Sequence, residues 1–363
     1  METVLEPLLT GLVSPTDAAS LDDGHILVAD QIGLVVVVTL HGGDLPRVAL
    51  DLRDRLHPVD PNYDEGGLLA ILPVGGKLFV FYTRRDGVDV VSTFDLRYGP
   101  PVAVDATSER IHLMVPLGPP SGPGKWVHHG GRLALGPGGA IYVAVGDGGP
   151  QKDEPGFTPR SQDPSDPRGK ILQFADGRFT VYASGLRNPW GLTITPEGGF
   201  VADVGLKRRE SIHLLRRGAN YGWPAREGTL VDQQYDVQFP GPFDAPIVEY
   251  DHSQIQELER THRGNEKKPP IAVIGGRSLG GKYIFGDLSG YVFVAQRNSP
   301  TRSKLLPPLL NAASSEWSVT RVIVLPPRTY LKSIAEHGGS LLLLTSSELG
   351  PRGTGGVVWR VAL

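Results

Sequence analysis

Six times along the chain an apolar strand runs into a short turn and out into a second apolar strand. The copies are Ala18 to Val28 around Asp22-Asp23-Gly24, Leu69 to Val80 around Gly75-Gly76, and Leu133 to Val145 around Pro137-Gly138-Gly139. A fourth spans Leu192 to Val204 around Pro196-Glu197-Gly198-Gly199, a less regular fifth Arg277 to Val294, and a sixth Ile334 to Leu344 around Gly338-Gly339. Glycine supplies the positive φ that tight hairpin turns need. The strands are short, rich in Val, Ile, Leu and Tyr, and lack a helical period. Spread over 363 residues, six hairpins leave roughly sixty residues each, the size of a four-stranded propeller blade with generous loops. The pattern predicts an all-β chain: one six-bladed β-propeller of four-stranded antiparallel blades over residues 1–363. A β-sandwich is the competing architecture, and the even spacing of six similar hairpins favours the propeller. The longest gap, between the fourth and fifth copies, holds a polar stretch at about 253–270, expected to be a loop excursion from a blade top. It contains Glu257, Glu259, Arg260, Arg263, Glu266, Lys267 and Lys268.

Composition narrows the partners. With 47 glycines and 32 prolines beside an ordinary apolar fraction, the chain is a turn-rich β protein, not a disordered one. A net charge of −3 argues against a nucleic-acid binder. The local cluster Lys207-Arg208-Arg209 is that of a solvated loop. No apolar run reaches the length of a membrane span. Met1 to Leu12 lacks a basic region followed by an apolar stretch, so no signal peptide is expected there and a cytoplasmic location stays open. Cysteine is absent, which removes disulfides, thiolate nucleophiles and cysteine metal sites.

The segments between strands carry a resemblance. Glu65-Gly66-Gly67-Leu68-Leu69, His128-His129-Gly130-Gly131-Arg132-Leu133, Gly146-Asp147, Gly169-Lys170-Ile171-Leu172, Gly185-Leu186-Arg187-Asn188-Pro189-Trp190-Gly191 and Asn220-Tyr221-Gly222-Trp223-Pro224 stand in this order. That order resembles the glucose/sorbosone dehydrogenase family, over roughly residues 11 to 230. Tyr283-Ile284-Phe285-Gly286-Asp287 and Gly290 look like the family's fifth-blade strand pair. The resemblance implies a soluble, calcium-dependent enzyme that uses pyrroloquinoline quinone (PQQ) and passes electrons to an external acceptor. It also implies a periplasmic or secreted location. The family includes non-enzymatic members similar to hedgehog-interacting proteins, so it does not settle function.

Removing hydride from a sugar C1 needs a base for the hydroxyl proton, and histidine titrates in the right range. The resemblance gives that role to His128, four residues before the motif arginine, and leaves His129 structural. It makes Asp147 the carboxylate that takes the other ring N–H and fixes the tautomer. Arg187 and Asn188 would lie against the quinone, stabilising negative charge on its oxygens. The carbonyls of Gly205 and Leu206 would hold the calcium, a hard ion suited to oxygen donors.

The chain departs from the family at several positions. Glu65 stands where a glutamine usually lines the substrate site, and Val127 replaces a polar residue before the base. Enzymatic members use cations from the last two blades on the cofactor's carboxylates, for which Lys332 and Arg328 are the residues on offer, with Arg277 behind them. Near Glu210 and Ser211, where a second calcium needs an acidic pair, only one acid is present. Two further classes remain in view. One is a non-catalytic propeller binding a protein or carbohydrate, which the sparse cations favour. The other is a calcium-centred lactonase, which would want several acids or amides at blade starts.

Overall fold

A computed structural model describes residues 4–361 apart from 23, 41–44, 100, 118–126, 197, 265–268 and 299–315. Asp23 of the first turn, Glu197 of the fourth and Glu266, Lys267 and Lys268 of the polar stretch therefore lie outside the described residues. Strand β1 (Leu5–Leu12) opens the chain. Blade 1 follows as β2 (Pro15–Asp22), β3 (His25–Asp30), β4 (Leu34–Thr39) and β5 (Arg47–Asp51). Blade 2 is β6 (Leu68–Val74), β7 (Lys77–Thr83), β8 (Val88–Arg97) and β9 (Ala103–Pro116). Blade 3 is β10 (Gly130–Leu135), β11 (Ile141–Val145), β12 (Lys170–Ala175) and β13 (Arg178–Ser184). Blade 4 holds β14 (Pro189–Thr195), β15 (Gly198–Asp203) and β16 (Arg209–Leu215). After a small hairpin, β17 (Arg226–Glu227) and β18 (Leu230–Val231), and a short helix α1 (Gln233–Gln238), it ends on β19 (Val248–Asp251). Helix α2 (His252–Arg263) leads to blade 5: β20 (Val273–Leu279), β21 (Lys282–Asp287), β22 (Tyr291–Arg297) and β23 (Trp317–Val324). Blade 6 is β24 (Tyr330–His337), β25 (Ser340–Ser346) and β26 (Gly356–Val361).

Among the described residues these strands make six four-stranded antiparallel sheets, and β1 is the outer strand of the sixth. The chain thus closes on itself, with Leu5 opposite Val361 and Leu12 opposite Gly356. The innermost strands β2, β6, β10, β14, β20 and β24 pack side by side in that order, and β24 meets β2. The result is the six-bladed propeller that the repeats predict.

Blade packing explains why the strands read as continuous apolar runs. Successive side chains of a strand face opposite sides of its sheet, and here both sides are covered by neighbouring blades. In β25, Leu341 and Leu343 pack with Ile284 and Val292 of blade 5. Leu342 and Leu344 pack with Ile26 and Val28 of blade 1. Each such buried leucine contributes about 1.5–3 kcal/mol. The inner strands converge closely enough for glycine to matter: a Cβ on Gly191 of β14 would stand 2.4 Å from Gly275 Cα of β20.

The polar stretch after the fourth repeat begins as a helix, where a loop was expected. Its first part is α2, closed at its start by a capping box between Asp251 and Gln254. Ion pairs of Arg260 with Glu257 and Arg263 with Glu259 line its surface. One buried apolar residue, Ile255, docks it on the blade 4–5 core, too thin an apolar face to announce a helix in sequence. Arg263 then fastens the helix end to the Ser289 and Leu325 carbonyls.

One buried arginine links the inner strands of several blades. Arg132, on β10, donates to the carbonyls of Thr16 (2.8 Å, blade 1), Trp190 (3.0 Å, blade 4) and Lys332 (3.4 Å, blade 6). It also pairs with Asp17 at 3.2 Å. Three blades besides its own are tied at this side chain.

Candidate functional site

Inner strands all begin at one end of the ring, and second strands end there. The loops at that end therefore bring together residues far apart in sequence. His128 precedes β10, Asp147 follows β11, Arg187 and Asn188 precede β14, Glu65 precedes β6, and Gly205 follows β15. His128, Asp147, Arg187 and Asn188 are all 5 % exposed or less.

The hydrogen bonds fix the state of the histidine. Arg187 Nη2 lies 2.8 Å from His128 Nε2. A guanidinium only donates, so Nε2 carries the lone pair and the proton sits on Nδ1. Nδ1 donates to Asp147 Oδ1 at 2.6 Å. Asp147 also accepts from Gly149 N–H on Oδ1 (3.0 Å) and from Trp223 Nε1–H on Oδ2 (2.8 Å). Burial raises the Asp147 pKa, but the His128 ring, Arg187 and the Gly149 N–H outweigh it and hold the carboxyl below its usual range. His128 itself has a φ of 59°, and its backbone N–H donates to Glu65 Oε2 at 2.7 Å. The same Glu65 oxygen accepts from Asn188 Nδ2 at 3.3 Å, and Tyr63 holds the other oxygen at 2.6 Å.

Arg187 is the hub. Besides His128 it donates to Gln151 Oε1 (2.5 Å) through Nη2 and to the carbonyls of Val204 (3.0 Å) and Gly205 (2.7 Å) through Nη1. The backbone N–H groups of Arg187 and Asn188 both end on Asp203. Burial pushes that carboxyl up to about 7 against these donors.

The expected residues divide into two groups. His128, Asp147, Arg187, Asn188, Glu65 and the Gly205 carbonyl form one bonded cluster, with Leu206 next along the loop. Lys332 is buried at the start of β24, but its ammonium donates to the Leu349 carbonyl at 2.5 Å, and burial lowers its pKa to about 8. Arg328 stands exposed in the loop before β24, and Arg277 reaches Asp17, 4.0 Å away. His129 is buried against Asp89 at 2.9 Å. Burial lowers its pKa, but Asp89 more than compensates and lifts it to about 9.

Sequence reasoning did not assign roles to Gln151, Asp203 or Trp223. Trp223 and Asp203 each carried a cue, since Trp223 lies in a recognised motif and Asp203 opens the run that ends in Gly205 and Leu206, whereas Gln151 matches no pattern of spacing.

Among the described residues there is no group of three or more His, Asp or Glu side chains that could hold an ion. Backbone carbonyls remain, and the Gly205 carbonyl faces the cluster and already carries a cation, the Arg187 guanidinium. A backbone carbonyl is a donor type that calcium accepts among its roughly six to eight oxygen ligands.

A family model described as Glucose / Sorbosone dehydrogenase matches residues 12–255. Among curated proteins, the HIPL2 protein of Arabidopsis thaliana is 28% identical over 222 residues, covering 48% of this chain and 30% of that protein. Quinoprotein glucose dehydrogenase B of Acinetobacter calcoaceticus is 28% identical over 165 residues, covering 38% and 34%. The chain thus spans about a third of the length of each of these relatives. Among solved structures, the PQQ-bound aldose sugar dehydrogenase of Streptomyces coelicolor superposes with a TM-score of 0.70 at 20% identity, covering 99% of this chain and 98% of that one. At that identity the likeness establishes the fold.

Proposed function

The chain belongs to the glucose/sorbosone dehydrogenase family, and from that premise we propose that it oxidises an aldose sugar at C1 with PQQ and calcium. The observation that carries this reading is the Asp147–His128–Arg187 chain, a neutral imidazole with its lone pair on Nε2 at the mouth of the ring. Bound there, the quinone supplies the acceptor for the two electrons and the hydrogen that leave C1 as hydride. His128 Nε2 takes the proton of the C1 hydroxyl, once Arg187 Nη2 has turned from it toward an incoming oxygen. Asp147 holds the imidazolium that results. Glu65 accepts from the backbone N–H of His128 and the amide of Asn188, and would bond a sugar hydroxyl. Arg187 and Asn188 would hold the quinone's oxygens, and the Gly205 and Leu206 carbonyls the calcium.

Purified protein given PQQ, calcium and a panel of aldoses should reduce an artificial electron acceptor. His128→Ala should lower that rate by about a hundred- to ten-thousand-fold while PQQ uptake stays within a few fold. Full activity in the variant would refute the role of His128.

A second reading has its own support. Arg187 is the one cation in the described cluster, and Lys332 is turned to Leu349. Three cofactor carboxylates ask for more positive charge than that. A family propeller that binds a partner without chemistry would show no PQQ uptake at micromolar cofactor, and that result would decide for it.

A further inference from the structure

The loop after β15 has an unusual backbone. Four successive N–H groups, of Leu206 (2.9 Å), Lys207 (2.9 Å), Arg208 (2.8 Å) and Arg209 (3.1 Å), converge on one oxygen, Oε1 of Glu227. The Gly205 N–H just before them ends on Glu210 Oε2 at 3.3 Å. Such a run of N–H groups is an anion-binding nest, and here the chain supplies its own anion. Burial raises the Glu227 pKa, but the four backbone donors outweigh it, so the carboxyl is held below its usual range. The loop is also tight: a Cβ on Gly205 would meet the Arg209 carbonyl oxygen at 1.7 Å.

Peptide planarity gives this nest a consequence across the backbone. In a trans peptide the C=O points opposite to the N–H of the next residue. With the Leu206 N–H tied to Glu227, the Gly205 carbonyl must face the other way, and there it meets Arg187 Nη1 at 2.7 Å. The Gly205 N–H on Glu210 turns the Val204 carbonyl the same way, onto the same Nη1 at 3.0 Å. The Lys207 N–H likewise sends the Leu206 carbonyl to the side away from Glu227. Two carboxylates behind the loop thus set the carbonyls in front of it.

We infer that Glu227 is a positioning residue: through the Leu206–Arg209 nest it aims the Gly205 carbonyl as a cation seat. Arg187 occupies that seat here, and the guanidinium so held is the one that reaches His128 Nε2. The part of the inference that concerns calcium rests on the proposed function, whereas the part that concerns Arg187 does not. Glu227 touches neither His128 nor Arg187 and acts only through the loop.

Two measurements on the whole protein test this. In protein free of calcium and cofactor, rotation of the Arg187 guanidinium about its Cζ–N bonds can be read by NMR. Glu227→Ala should speed it, and Glu227→Gln, which keeps an acceptor oxygen for the nest, should largely restore it. Glu249→Gln is the control, because Glu249 braces the same hairpin through the Thr229 N–H and hydroxyl and reaches Arg209 through its guanidinium (3.2 Å), accepting none of the four nest N–H groups. Unchanged rotation in Glu227→Ala, or equal acceleration in Glu249→Gln, would overturn the inference. Calorimetry with calcium alone is the second measurement. Glu227→Ala should weaken binding by about tenfold or more, with Glu227→Gln within a few fold of the parent. Equal binding by parent and Glu227→Ala overturns the positioning role. Equal loss in both variants makes Glu227 a direct ligand and overturns it too. If the parent binds no calcium, the calcium part of the proposed function falls, and Glu227 is judged on the Arg187 measurement alone.

Discussion

Replacing Asp147 by Asn tests the geometry of the proposed base, His128, more sharply than removing His128 does. Every group facing the carboxylate is a donor: His128 Nδ1–H, Gly149 N–H and Trp223 Nε1–H. Asparagine offers one oxygen and one NH2, so it cannot satisfy both sides. With its oxygen toward His128, the NH2 meets the Trp223 N–H and leaves a buried donor unsatisfied, at a cost of about 1–3 kcal/mol. Flipped, the NH2 meets Nδ1 and forces the histidine proton onto Nε2. That proton then faces the Arg187 Nη2 donor, and the lone pair needed for C1 deprotonation is gone. Either way the Arg187 guanidinium loses a buried countercharge. The expected result is a kcat lowered by about a hundredfold or more with KM little changed, since the base acts in the transition state. Nitrogen NMR of the imidazole checks the cause without any cofactor. The parent should show a protonated Nδ1 and an acceptor Nε2 on His128, and Asp147→Asn should depopulate that form. A parent spectrum with the proton on Nε2 would refute the reasoning, whatever the variant's activity.

Two further outcomes follow from the fold and its buried charges. Leu343→Ala empties a fully buried position between blades 5 and 6 and should cost about 2–5 kcal/mol in denaturant unfolding, with no loss of the site's NMR signature. Asp203 titrates near 7 in the folded chain against an ordinary value of 3.8, so the folded state holds its proton longer than the unfolded one. Its stabilising contribution is present below about 4 and is lost as pH rises to about 7. Asp203→Asn should therefore gain melting temperature relative to the parent as pH is raised from 5 to 8.5, and a difference independent of pH would contradict the assignment.

The propeller was legible because its signals are local and repeated. A Gly-Gly pair such as Gly75-Gly76 or Gly338-Gly339 forces a hairpin wherever it stands between apolar strands, with both residues at positive φ. Runs such as Leu341 to Leu344 have no polar face to expose, so each blade needs a neighbour on both sides. Even the irregular fifth repeat turns at a glycine pair, Gly280-Gly281. Helix α2 escaped because what stabilises it is polar: a capping box, two ion pairs and the Arg263 clamp. Such bonds leave no apolar period behind.

The site was legible only where a side chain carries the chemistry and a motif marks its place. His128, Asp147, Arg187 and Asn188 qualify, and the fold bonds them as one cluster. Glu227 does not, because the same carboxylate on any loop would read as solvated, and the Lys207-Arg208-Arg209 run invites that reading. What matters in that run is not its three cationic side chains but their amide hydrogens, which every residue except proline possesses. Sequence can therefore nominate a base and its carboxylate, while the direction of a carbonyl follows only from where its neighbouring N–H is tied. On that argument residues that tune Arg187 in this chain also lie behind the loop, at Glu210 and Glu227, beyond the side chains that face it.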